Sequence, residues 1–269
     1  MKDVGRIPAW GVAAVAVGAV LFISVAHAMA TAAPDQLGIW HQVWGWTPLI
    51  LFGPPGVLGG MTLNILISFL AMVIGTMTGV FLGILQLAPA RIVRRTAWGV
   101  TQFFRNSPWL VLLFFAMLLL PFELRFGGLR MPVPDWLKAT LGLALPVMAN
   151  LSEVTRGAIR SIPEGQWESC EALGLTRFQT YSRVILPQCV KRMTPSWMNW
   201  YALLTMATPL VSIVGVSDAV ALTRDALAAS GRSDLLIPMY LWLLLWFGLY
   251  CYPIALWTQR MERRFAVIS

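Results

Sequence analysis

Charge is what this sequence has least of. Only 12% of its 269 residues are Asp, Glu, Lys or Arg, about half the ~25% of an ordinary soluble domain. With so few charges, neither a disordered chain nor a water-facing globule is a reasonable reading. The two histidines, His27 and His41, and the three cysteines, Cys170, Cys189 and Cys251, form neither a metal-ligand spacing nor a CxxC pair. No GxxxxGK[ST] loop is present to cradle phosphates. No Ser-His-Asp set and no pair of carboxylates in a common cleft can be picked out. The expectations are therefore no catalytic residue, no metal and no cofactor held by this chain.

Apolar and aromatic residues fill the space left by charge. The sequence is 58% hydrophobic, with 13 Trp, 13 Phe and a mean hydropathy of +0.70. A membrane span needs roughly 20 mostly apolar residues, and six stretches qualify. They run over residues 7–34, 51–90, 98–122 (interrupted by Arg105), 136–159, 193–217 and 235–259. The fourth is the weakest, because only residues 139–152 are free of charge. Residues 32–56, rich in Trp, Pro and Gly, read as an interfacial connection on the outer side. The first stretch also fits a cleavable signal peptide, with Lys2 and Arg6 before it and Ala26-His27-Ala28 near its end. Its length favours a retained helix.

Net charge is +8, and the basic residues are unevenly placed. Thirteen of the 20 Lys and Arg fall in segments on one side of the membrane, and the positive-inside bias makes that side cytoplasmic. Both termini are then cytoplasmic, and the basic excess needs no nucleic-acid partner. The expected fold is an all-α integral membrane protein of about six transmembrane helices. Residues 1–56 form an extra N-terminal helix and outer connection, 57–260 the main transmembrane domain, and 261–269 a cytoplasmic tail.

The loop from Ser161 to Gln188 carries the most information. Ser161 with Glu164, and Thr176 with Gln179, are spaced as capping boxes that start two short helices. Gly174 between them sits where a helix C-terminus needs positive φ, and Pro187 is expected to stop the second helix. Phe178, Tyr181 and Ile185 are expected on one face of that helix; Trp167, Cys170 and Glu171 on one face of the first. A helix-turn-helix with exposed aromatics and both charge signs fits docking onto another protein better than an idle amphipathic loop on the membrane.

Glu168-Ser169-Cys170, three residues, Gly174, nine residues, Val184, one residue and Leu186-Pro187 resemble the EAA loop of binding-protein-dependent ABC importer permeases. The family has Glu-Ala-Ala at the first three positions and Ile where Val184 stands; Ser169 and Cys170 are also small. Glu153-Val154-Thr155-Arg156-Gly157-Ala158-Ile159 and Phe104-Arg105-Asn106-Ser107-Pro108 are similar to segments of the polar amino-acid permeases within that family. The resemblance spans roughly residues 57–260. It implies a type I importer permease fold in a bacterial inner membrane, moving a polar amino acid or a related solute such as an opine. It also implies partners: a cytosolic ATPase dimer holding ATP and Mg, a second permease subunit, and a periplasmic solute-binding protein. Contact with membrane lipid follows from the composition.

The resemblance assigns ATPase coupling to Glu168, Ser169, Cys170, Ala172, Leu173, Gly174, Leu186 and Pro187. For the translocation pathway, polar residues within spans are the guide, because they are costly in lipid unless they line water or find partners. Arg105, Glu153 and Arg156 lead, with Asn150, Thr208 and Ser212 behind them and Asn199 and Thr205 also polar within a span. Snorkelling would equally account for the charged three, and helix–helix contacts for the others. The alternatives in other classes are an ion-coupled carrier or channel, and a membrane scaffold without ATPase coupling.

Overall fold

The computed structural model describes residues 34–126 and 129–265. The first expected span lies largely outside them. In chain order the elements are α1 (Pro34–Phe52), α2 (Gly60–Leu85), α3 (Arg91–Arg105), α4 (Trp109–Leu119), β1 (Glu123–Phe126), β2 (Leu129–Pro132) and α5 (Asp135–Arg160). Then follow α6 (Glu164–Ala172), α7 (Arg177–Gln179), a π-helical turn Thr180–Ile185 and α8 (Leu186–Ala207). A 3₁₀ segment Thr208–Val214, α9 (Ala219–Ser230), a second 3₁₀ turn Ser233–Leu235 and α10 (Leu236–Phe265) complete the order.

The centre of the bundle is the pair α2 and α5. Gly75, Gly79 and Gly83 recur every fourth residue, so they form one stripe on α2. A Cβ at Gly79 would lie 2.8 Å from the Met148 carbonyl oxygen, and one at Gly83 would lie 2.6 Å from that of Ser152. The stripe lets two backbones meet, which is how helices gain dispersion energy where lipid removes the hydrophobic drive. Leu63, Ile67, Met72, Leu143, Val147, Leu151 and Leu204 are buried around this seam. A second cluster joins α1, α9 and α10 through Val43, Ile50, Ala226, Met239 and Trp242. Trp242 Nε1 donates to Thr47 Oγ1 at 2.9 Å, so most of the expected interfacial connection is a helix packed on the bundle.

The apolar stretch at residues 98–122 is not one continuous helix. It divides into α3 and α4, bent by 107° at Asn106-Ser107-Pro108. Pro108 disfavours helix at the residue before it. Asn106 Nδ2 and Ser107 Oγ turn back onto the Gln102 and Phe103 carbonyls, each at 2.7 Å. Among the described residues, α2 and the helix over residues 233–263 are long and apolar enough to cross a membrane, or three units if α3 and α4 count as one. α5 has the length but buries Lys138, Thr140, Asn150, Ser152 and Thr155, so its polarity faces protein. The fold also departs from all-α: β1 and β2 pair as an antiparallel hairpin, Glu123 opposite Pro132.

Where α2 begins, Gly60 N–H donates to the Ser217 carbonyl at 3.0 Å. Asp218 caps α9 by accepting from Ala221 N–H at 2.9 Å, and Asn64 Nδ2 donates to its other oxygen at 3.1 Å. Burial raises the carboxyl of Asp218 to about 6, against the pull of these hydrogen bonds. Asp218 lies outside the spanning helices, just before α9.

Candidate functional site: a cross-tied bracket at one end of the bundle

At the end of the bundle where α2 and α5 finish, α6 and α7 form a bracket. Its turn closes α6 with a Schellman motif: Leu175 N–H donates to the Cys170 carbonyl at 3.1 Å and Gly174 N–H to that of Glu171 at 2.9 Å. Gly174 has φ +68°, a conformation L side chains adopt only with strain. Thr176 and Gln179 make the expected capping box, Gln179 N–H donating to Thr176 Oγ1 and Thr176 N–H to Gln179 Oε1.

The Ser161–Glu164 box does not form. Pro163 takes the N-cap, while Ser161 Oγ donates to the Ala158 carbonyl and accepts from Arg192 Nη1, both at 2.7 Å. Ser161 is instead the cap of α5, recruited from α8 by an arginine 31 residues away. Pro187 does not stop a helix either. It falls in the first turn of α8, where a missing N–H costs little. The π turn before it, closed by Leu186 N–H onto the Tyr181 carbonyl, carries the chain through without a break.

Three ties fasten the bracket and its base to the π turn and α8. The Trp167 and Tyr181 rings meet edge to face with centroids 5.3 Å apart. Gln188 Nε2 donates to Gln166 Oε1, and Arg192 Nη1 also donates to the Ser161 carbonyl at 2.7 Å. Beneath them Ile159, Ile162, Ile185, Cys189 and Met193 form a small buried cluster. Tyr181 is shifted upward in pKa by burial, opposed by the nearby Arg177 charge.

The bracket's residues divide into two sets. Glu168, Ser169, Ala172, Leu173 and Gly174 are exposed, and Leu173 and Phe178 are 77% and 81% accessible. Cys170 points the other way and is buried, so it supports the bracket from within. Leu186 is half-buried and Pro187 exposed. The expected apolar faces separate as well. Phe178 leaves Tyr181 and Ile185, because the π turn rotates successive residues out of the 3.6-residue period, and Glu171 leaves Trp167 and Cys170 for solvent.

Of the polar span residues named, Glu153 and Arg156 join side chain to side chain, as an ion pair in which Arg156 Nε donates to Glu153 Oε2 at 3.1 Å. Arg105 is exposed at the last residue of α3. Asn150, Thr208 and Ser212 are each within hydrogen-bond reach of a carbonyl three or four residues earlier in the chain: Pro146 at 2.8 Å, Thr205 at 2.8 Å and Pro209 at 2.8 Å. Thr205 is likewise tied to the Ala202 carbonyl, and Asn199 is exposed. What the sequence reading missed is a buried knot beside the ion pair. Gln86 Nε2 donates to Thr101 Oγ1 at 2.9 Å and to Ser152 Oγ at 3.1 Å, joining α2, α3 and α5.

Residues 75–267 match the family described as binding-protein-dependent transport system inner membrane component. The chain belongs to this family. The permease is similar to the probable amino-acid ABC transporter permease protein YckA of Bacillus subtilis, 29% identical over 227 residues, covering 84% of this chain and 96% of that one. It is also similar to the nopaline transport system permease protein NocM of Agrobacterium fabrum, 28% identical, covering 68% and 77%. Among solved structures it shares its fold with the crystal structure of an amino acid ABC transporter with histidines, at a TM-score of 0.62 and 21% identity, over 82% of this chain and 97% of that one. The permease is thus a transport subunit with the architecture of ABC importer membrane components.

Proposed function

We infer that the permease forms the passage of an ATP-driven importer for a polar amino acid or an opine-like derivative. Its partners are a cytosolic ATPase dimer, a second permease and a solute-binding protein on the outer side. The observation that carries the reading is the bracket: Gly174 at positive φ, ties to the π turn and α8, and Leu173 and Phe178 presented to solvent at its tip. A rigid element with an apolar tip transmits the closing of an ATPase dimer to the spans, which rock between inward- and outward-facing states. Glu168 orients or pairs at that contact, and Ser169, Ala172 and Leu173 pack in it. Cys170, Leu186 and Pro187 hold the bracket's shape. Relatives named for amino-acid and nopaline transport support the solute class. The Glu153–Arg156 pair, followed by Arg105, Asn150, Thr208 and Ser212, borders the solute's route. Both termini lie on the ATPase side, in keeping with the basic residues there.

Purification of the tagged permease from its native membrane in mild detergent tests this. A P-loop ATPase and a second permease co-elute with the parent, and Gly174→Arg depletes the ATPase while leaving the permease pair. Failure of any ATPase to co-elute in several mild detergents overturns the coupling role. Screening amino acids and opines for stimulation of ATPase activity, with the binding protein present, then tests the solute class; stimulation only by an unrelated solute rejects it.

A further inference from the structure

Beside the base of the bracket lies a cavity of about 300 Å³, lined by Gln86, Arg94, Arg95, Trp98, Arg156 and Arg160. Four arginines from α3 and α5 line it, and its lining contains no carboxylate. Glu153 engages Arg156 and the Ala88 carbonyl accepts from Arg94 Nη1, which leaves a surplus of positive charge around the cavity. Guanidinium groups placed in this way recognise phosphate oxygens through paired N–H donors. The inner wall is preformed, because the Gln86–Thr101–Ser152 knot fixes the ends of α2 and α3 against α5.

The source of the phosphate is indicated by α3. Its basic residues and Trp98 lie along one face, while Ile92, Val93, Val100 and Phe103 are exposed on the other, Ile92 at 81% and Phe103 at 65%. A short helix of this kind lies in the headgroup layer with its apolar side among acyl chains. Trp98, 56% accessible beside the cavity, has the preference for that same layer that indole rings show. A phosphate dissolved in the cytosol would have no use for an apolar strip alongside its site. We propose that this cavity binds the headgroup of an anionic phospholipid, whose phosphate bridges α3 to α5. Arg160 immediately precedes Ser161, where the bracket begins, so the lipid braces the joint through which the bracket's movement reaches α5.

The test uses the assembled transporter, delipidated in detergent and titrated with phosphatidylglycerol or phosphatidylcholine under native mass spectrometry. Phosphatidylglycerol binds the parent more tightly than phosphatidylcholine. Arg94→Gln with Arg95→Gln lowers phosphatidylglycerol affinity by about tenfold to thirtyfold, the effect of removing two charges near a membrane surface. Arg94→Lys with Arg95→Lys keeps the charge but not the paired donors, so it retains more affinity than the Gln pair and less than the parent. If the Gln pair does not fold, Arg160→Gln repeats the comparison from α5. Equal phosphatidylglycerol affinity in the parent and the Gln variants overturns the proposal. So does saturation of the site by inorganic phosphate or glycerol phosphate with no competition from phosphatidylglycerol, which would make it a site for a free anion.

Discussion

The α2–α5 seam and the bracket are both built around glycine, yet they use it in opposite ways. At the seam, Gly75, Gly79 and Gly83 are needed for what they leave out, since backbone oxygens stand within 3.2 Å of any added Cβ. In the bracket nothing lies within 4 Å of a Cβ at Gly174, and the residue is needed for its φ of +68°. The seam therefore resists change because backbone cannot yield, whereas the bracket tolerates bulk but not a change of backbone conformation.

The sharpest way to break this contrast is Gly79→Leu. The side chain would have to displace the α5 backbone, so destabilisation of ~3 kcal/mol or more is expected, above the usual overpacking cost. Thermal melting of the purified chain and its yield from membranes report it; a melting point near that of the parent would show that the seam is softer than its distances imply.

A pH titration probes the bundle at the end where α2 begins. The carboxyl of Asp218 is raised by burial to about 6 from an ordinary 3.8. Ionisation thus costs more in the folded state, so this group's contribution to stability is most favourable below pH 3.8, falls as pH rises towards 6, and is level above it. The span of that loss is at most ~3 kcal/mol. Asp218→Asn flattens the profile without gaining stability, because its amide would present N–H groups to either Asn64 Nδ2 or Ala221 N–H. Parallel pH profiles for parent and variant would remove Asp218 from the explanation.

Gly174→Ala comes next, with a strain of ~1–2 kcal/mol from the left-handed backbone. Gly174→Asn recovers much of it, because asparagine visits that region more readily. Melting curves separate the two, and an equal loss in both would point to the space at the turn and not to φ. Smallest for stability is Leu173→Ser, at an exposed site where changes stay within ~0.5 kcal/mol. Its effect is expected in ATPase co-purification alone. A large drop in melting temperature would instead place Leu173 in the fold.

The bracket was legible because turns and caps are local. Thr176 with Gln179, and Gly174 two residues before Thr176, constrain neighbouring φ, ψ and N–H groups, and those constraints are written in adjacent letters. Ser161 with Glu164 carries the same local signature but lost its serine to Arg192, a partner no local rule can see. The halves of α3 and α4 were hidden by composition: an apolar run reads as one span, and the break needs Pro108 to be weighed above hydropathy. The glycine stripe at four-residue spacing was available to be read. The arginine cavity was not, since Arg94 and Arg95 meet Arg156 and Arg160 only when α3 lies against α5.

By itself the sequence determined the solvent, through its shortage of charge, and the bracket, through turn chemistry confined to a few adjacent residues. Tertiary structure decided which way each bracket side chain faces, with Cys170 inward and Leu173 and Phe178 outward, and which distant polar groups meet. The physical reason is range: backbone conformation and hydropathy act over one turn or one span, while close approach and charge clustering exist only after helices far apart in the chain have packed.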